Sequence, residues 1–206
     1  GVFSGSVRID GKYISRLSTW EIGRLVGSVF QDPKSQFFSS ELAGEVAFPC
    51  ENYGLSTREI RERTDAAIEA LKLSHLKDRA VDALSSGEKQ RAAIASVYAM
   101  KPKVFVCDEP TANLDAAGTR QLAQTLWQLK EQGFTLLLAE HRIDWLMGIA
   151  DRFLYLRDGR IAAEYAPRDL LLLPEADILG MGLRSPHEGK SLPAPSVLDE
   201  SPAVLK

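Results

Sequence analysis

The segment Val104-Phe105-Val106-Cys107-Asp108-Glu109-Pro110 constrains this chain more than any other. A short continuous apolar run suits a strand buried on both faces, the pattern of a parallel sheet. Open sheets of that kind place their ligands outside the carboxyl ends of the strands. Here that end carries two adjacent carboxylates. One acid can hold a magnesium ion, directly or through water, and the next can orient and polarise a water for attack on a phosphate. An acidic pair after a strand also serves as a turn or helix cap, so this reading needs support from elsewhere in the chain.

The surrounding pattern supplies strands alternating with helices, which implies an α/β sheet. Ser6 to Asp10 alternates in character and ends at Gly11, as a half-exposed strand and a turn would. Leu25 to Phe30 is a second strand, stopped by Asp32-Pro33. Ser56 and Glu59 have capping-box spacing, and Ile60, Ala67, Ile68 and Leu71 follow at helical steps. Leu84-Ser85-Ser86-Gly87 opens another helix, rich in small apolar residues from Ala92 to Ala99 and ended by Lys101-Pro102. Leu122, Leu126 and Leu129 mark a helix that Gly133 terminates. Phe134 to Ala139 reads as a second buried strand. Arg152 to Leu156 and Arg160 to Glu164 flank Asp158-Gly159, a hairpin signal. Pro167 opens a short helix. The mostly helical stretch from about Ser39 to Met100 is read as an insertion between sheet strands. The whole reads as one domain over residues 1–184, followed by a Pro-, Ser- and charge-rich tail, 185–206, expected to be disordered.

Composition sets bounds. The 206 residues are 45% hydrophobic, enough to bury a core, and the net charge of -3 gives no sign of a nucleic-acid partner. Cys50 and Cys107 form no CxxC pair and read as small core residues. No apolar run reaches the ~20 residues of a membrane span, and the first residues lack signal-peptide character. The sequence reads as a soluble chain that would meet a membrane only through a partner.

Five short motifs, in order, resemble those of the ABC ATPases. Leu84-Ser85-Ser86-Gly87-Glu88-Lys89-Gln90 resembles their signature motif, and Val104 to Glu109 resembles their Walker B strand. Gln31, in Phe30-Gln31-Asp32-Pro33, resembles the Q-loop. Ala112-Asn113-Leu114-Asp115 resembles the D-loop, and Glu140-His141-Arg142 the switch histidine. The small residues at 85–87 fit this independently, because an open helix N-terminus favours an anion. The same residues also make an ordinary serine N-cap.

The resemblance implies a P-loop NTPase-type sheet with an inserted helical subdomain, binding ATP and Mg2+. It implies that Gln31 senses the γ-phosphate and the metal, and that Asp108 supports magnesium. Glu109 would be the general base, and His141 would contact the γ-phosphate and help position the attacking water. Ser85, Ser86 and Gly87 would meet the γ-phosphate of a nucleotide held by the opposite subunit, with Asp115 lining the dimer seam. The partners implied are a second ABC ATPase subunit and a polytopic membrane protein, at the cytoplasmic face of the membrane.

One motif of the family has no match. No G-x-x-x-x-G-K-[ST] loop is found. Gly189-Lys190-Ser191 has Arg184 where the first glycine should stand, and Gly11-Lys12 is followed by Tyr13. The expectation is a fragment that begins after its first strand and P-loop, with natural loss as the alternative. Ser86 stands where the signature commonly has Gly, and Glu88 where it commonly has Gln. Gln31 to Phe38, Glu45 to Phe48 and Ala139 to Arg142 resemble the ATPases of energy-coupling-factor importers, which take up vitamins or transition-metal ions. Phe37 and Phe38 would then line a docking groove, or else belong to the helical core. The competing functions are a soluble non-transport ABC ATPase and a catalytically inactive regulatory subunit.

Overall fold

The computed structural model describes residues 5–184. Its elements, in chain order, are β1 (Arg8–Ile9), β2 (Lys12–Tyr13), α1 (Thr19–Leu25), β3 (Val26–Val29), α2 (Leu42–Asn52), α3 (Thr57–Ala70) and α4 (Ser86–Ala99). There follow β4 (Val104–Asp108), α5 (Ala116–Glu131), β5 (Thr135–Ala139), β6 (Phe153–Arg157), β7 (Arg160–Tyr165), α6 (Pro167–Leu171) and α7 (Glu175–Gly180). The described residues divide into two compact units, the first ending at Glu140 and the second beginning at His141.

In the first unit β3, β4 and β5 form a parallel sheet with β4 in the middle. β1 and β2 make a separate antiparallel pair. The turn between them, Asp10-Gly11, has positive φ at both residues (51° and 75°), as a two-residue hairpin turn requires. Gly11-Lys12 is therefore part of a hairpin. The expected strand from Ser6 shortens to two residues, while Gly189-Lys190-Ser191 and the expected tail lie outside the described residues.

Helices α2, α3 and α4 pack on one another, all three falling between β3 and β4 in the chain. Their shared core includes Leu42, Val46, Cys50, Ile68 and Ile94. Ser56 makes the capping box with Glu59 that its spacing predicts. Helix α4 lies against the sheet so closely that a Cβ at Gly27 of β3 would fall on Val97 Cγ1. Cys50 and Cys107 are both buried and unpaired.

Two strands differ from expectation. Phe105 and Cys107 of β4 are fully buried, but Val104 and Val106 are only half-buried. In β5 the pattern is weaker still: Leu136 and Leu138 are half-buried, and Leu137 is 55% exposed. The continuous apolar runs predicted burial on both faces. The physical reason for the difference is coverage. Phe105 makes an edge-to-face contact with Phe134, and Leu122, Leu126 and Leu129 of α5 are buried as well. The opposite face is open among the described residues, and β5 is the last strand of the described sheet.

The second unit is built on the antiparallel β6–β7 hairpin, with Asp158 and Gly159 at φ 51° and 72° in its turn. Its buried residues include Ile143, Trp145, Leu170 and Ile178.

Candidate functional site

Strand β4 delivers Asp108 to solvent and leads into a turn that begins at Glu109. Glu109 has φ +41°, a left-handed conformation that costs a non-glycine residue about 1–3 kcal/mol and persists only where its surroundings enforce it. The enforcement comes from the end of β5. Glu109 N–H donates to the Ala139 carbonyl at 2.9 Å. Thr111, fully buried, donates from its N–H (3.2 Å) and its Oγ1 (2.6 Å) to Glu140 Oε1. Ala112 N–H closes the turn on the Glu109 carbonyl at 3.0 Å.

Gln31 follows β3 and is exposed. Its Nε2 donates to Glu109 Oε2 at 3.2 Å, joining residues 78 positions apart. Its carbonyl accepts from Asn113 Nδ2 at 3.4 Å. The loop that carries Gln31 is pinned on both sides. Gln36 accepts from Phe30 N–H at 2.8 Å and donates to the Ser28 carbonyl at 3.1 Å. Asp32 accepts from Lys34 N–H at 3.1 Å. Sequence reasoning passed over Gln36 as a positioning residue. Glutamine carries a donor and an acceptor on one planar group, so it can bridge a strand end in this way. Phe38 is 73% exposed and stacks on Phe48 with centroids 4.7 Å apart, while Phe37 is half-buried, so the pair does not form a helical core.

The second group of predicted residues lies at two helix N-termini. Ser85 caps α4, and with Glu88 it forms a capping box: Ser85 N–H donates to Glu88 Oε2 at 2.7 Å. That bond is the main reason the Glu88 carboxyl is held below its ordinary value; partial burial opposes it. The S-x-x-E spacing could have disclosed this role for Glu88. Ser85 and Ser86 are exposed and Gly87 is half-buried. Asp115 caps α5 by accepting from Gly118 N–H at 2.7 Å. The two helix starts adjoin: a Cβ at Gly87 would lie 3.9 Å from Gly118 Cα, and Arg91 of α4 donates to Gln121 of α5.

The structure thus gathers Gln31, Asp108 and Glu109 at the strand ends, and Ser85, Ser86, Gly87 and Asp115 at paired helix starts. His141 is the first residue of the second unit and is half-buried; its carbonyl accepts from Arg184 N–H at 3.2 Å.

The oxygen donors of the first group suit a hard cation such as magnesium, which is held by one or two carboxylates together with substrate phosphates. Among the described residues no set of three or more His, Cys, Asp or Glu forms a metal cage, so any such ion would depend on those phosphates. In the first turn of α4 the Glu88 N–H is taken by the Ser85 hydroxyl, which leaves the N–H groups of Ser86 and Gly87 without an intrahelical acceptor and suited to an anion. No described helix is long and apolar enough to cross a membrane.

This arrangement has relatives. The ABC transporter family model matches residues 3–112. An ABC transporter ATP-binding protein of Treponema denticola is 40% identical over 184 residues, covering 89% of this chain and 38% of the relative. The energy-coupling factor transporter ATP-binding protein EcfA of Carboxydothermus hydrogenoformans is 37% identical over 211 residues, covering 98% of this chain and 77% of the relative. The solved structure of cbiO1 from Clostridium perfringens, part of the ABC transporter complex cbiONQ, aligns with a TM-score of 0.76 at 36% identity, covering 90% of this chain and 74% of that one. The chain spans 38% or less of the length of several curated relatives. The family match and the two well-covered relatives agree: this chain belongs to the ABC transporter family of ATP-binding domains.

Proposed function

We propose that the protein is the ATP-hydrolysing subunit of an ABC importer of the energy-coupling-factor type, carrying vitamins or metal ions. The observation that carries the proposal is the 3.2 Å hydrogen bond from Gln31 to Glu109. It joins the loop after β3 to the carboxylate best placed to act as a base. EcfA and cbiO1 support the transporter assignment through what their names describe.

Asp108 would hold magnesium with the nucleotide phosphates, and bound magnesium supplies charge neutralisation on those phosphates. Glu109 orients and deprotonates the attacking water, and its backbone is already fixed by the end of β5. Gln31 reads the same phosphate region and passes its state along its loop toward exposed Phe38, stacked on half-buried Phe48, where a polytopic membrane partner would dock. Ser85, Ser86 and Gly87 lie at an exposed helix start, which suits phosphate contact across a dimer with a second ATPase subunit. Asp115 lines that seam, and His141 contacts the γ-phosphate. Work would be done at the cytoplasmic face of the membrane, with no nucleic acid involved.

The test uses the full-length protein. Glu109→Gln should lower Mg-ATP turnover by about 10²-fold or more while leaving nucleotide affinity intact, as loss of a general base does. Turnover at the unmodified rate would refute the proposal.

A further inference from the structure

Consecutive residues at the end of β5 hold both sides of the turn that carries Glu109. Ala139 accepts from Glu109 N–H at 2.9 Å. Glu140 accepts from the N–H and Oγ1 of Thr111, at 3.2 and 2.6 Å. Thr111 is fully buried, so its hydroxyl has no water to turn to if Glu140 is lost. Pro110 lies between the two anchors, and its fixed φ leaves the turn little freedom to adapt. Glu109 keeps its positive φ inside this grip.

Glu140 uses one oxygen for both bonds. Its Oε2 is buried and has no hydrogen-bond partner among the described residues. A carboxylate kept for its charge would be expected to pair both oxygens, since an unpaired buried charge is costly. One acceptor oxygen is all the clamp requires.

We propose that Glu140 is a positioning residue for hydrolysis: it locks Thr111, and through Thr111 the backbone of Glu109, so that the base meets its water in register. The proposal rests on the hydrolysis reading above. It goes beyond the roles given above by assigning a part to the Glu140 side chain, whose bonds run to Thr111.

The test compares Glu140→Ala, Glu140→Gln, Thr111→Val and the double variant Glu140→Ala/Thr111→Val in the full-length protein. Glu140→Ala should lower kcat by about 10²-fold, the scale of a displaced catalytic group, with KM for ATP unchanged. Glu140→Gln should restore most of kcat, because its carboxamide oxygen accepts both bonds and its NH2 replaces the unpaired oxygen. Thr111→Val should match the loss in Glu140→Ala, and the double variant should be no worse than either single one. Should Glu140→Ala fail to fold, Thr111→Val and Glu140→Gln carry the comparison.

Hydrogen exchange at the Thr111 amide reads the clamp without turnover. It should speed up in Glu140→Ala and stay slow in Glu140→Gln. The proposal is overturned if Gln is as damaging as Ala, if the single losses multiply in the double variant, or if Thr111 exchange does not respond. Failure of the hydrolysis reading itself would appear separately, as undiminished turnover in Glu109→Gln.

Discussion

Gly27→Ala would drive a single methyl group into a close approach between helix α4 and the sheet. Gly27 sits in the middle of β3, paired with Phe105, and its added Cβ would fall on Val97 Cγ1 and 3.1 Å from Pro102 Cγ. Its φ is unremarkable, so the cost is steric and not one of backbone strain. Val97 is β-branched and sits within α4, which fixes its χ1 and prevents it from swinging away. Overpacking costs about 1–3 kcal/mol, and a collision with a stiff side chain belongs in the upper part, about 2–3 kcal/mol. At roughly 2–4 °C per kcal/mol for a domain of this size, Tm should fall by about 4–12 °C. Val97→Ala alone, at a half-buried position, should cost about 1 kcal/mol. In the double variant the methyl group introduced on β3 fills the space that Val97 vacates. The two costs should therefore fall short of additivity by about 1–3 kcal/mol. Urea and thermal unfolding of the four proteins, followed by circular dichroism, measure all of these terms. If Gly27→Ala lies within about 0.5 kcal/mol of the parent, or the double variant equals the sum of the singles, the packing argument is wrong.

Three further outcomes are expected. Phe105→Ala, which removes a fully buried ring and its contact with Phe134, should cost about 3–5 kcal/mol in the same unfolding assay. Ser56→Ala should cost about 1 kcal/mol by removing the cap of α3, and a neutral result would mean the capping box is idle. Burial, with a smaller contribution from Glu140, pushes the Cys107 thiol from its ordinary 9.0 up to about 12. The folded chain therefore keeps a proton that the unfolded chain releases. This stabilisation is complete below the unfolded value and declines as pH rises through the window between the two, by about 1.4 kcal/mol per pH unit. Unfolding of Cys107→Ala should show an alkaline limb shallower by that slope, and an unchanged limb would count against the assignment.

The elements were legible in the sequence wherever a local rule decides them. Ser56-x-x-Glu59, Asp158-Gly159, Gly133 and Lys101-Pro102 each act within a few residues, and each appears where its chemistry places it. Burial was less legible. Val104 to Cys107 and Phe134 to Ala139 are continuously apolar, but exposure depends on which helices cover which face, and periodicity does not carry that information. Glu88 was read as a variation on a motif, although it also closes a capping box on Ser85.

The meeting of Gln31 with Glu109 was illegible for a different reason, and it follows from register. Val29 of β3 pairs with Cys107 of β4 in a parallel ladder. Gln31 lies two residues beyond Val29 and Glu109 two residues beyond Cys107, so equal offsets carry both side chains past the same edge of the sheet. The β4–β5 ladder pairs Asp108 with Ala139, so the next residue on each strand is Glu109 and Glu140. One row across three parallel strands therefore collects Gln31, Glu109 and Glu140. Each motif specifies its own side chain, but only the register brings the three together. A one-residue slip of any one strand would turn its core residues to the other face and carry its loop residue out of that row. The core residue Cys107, which is buried and locked between β3 and β5, therefore holds the geometry of the candidate site as firmly as the polar residues that line it.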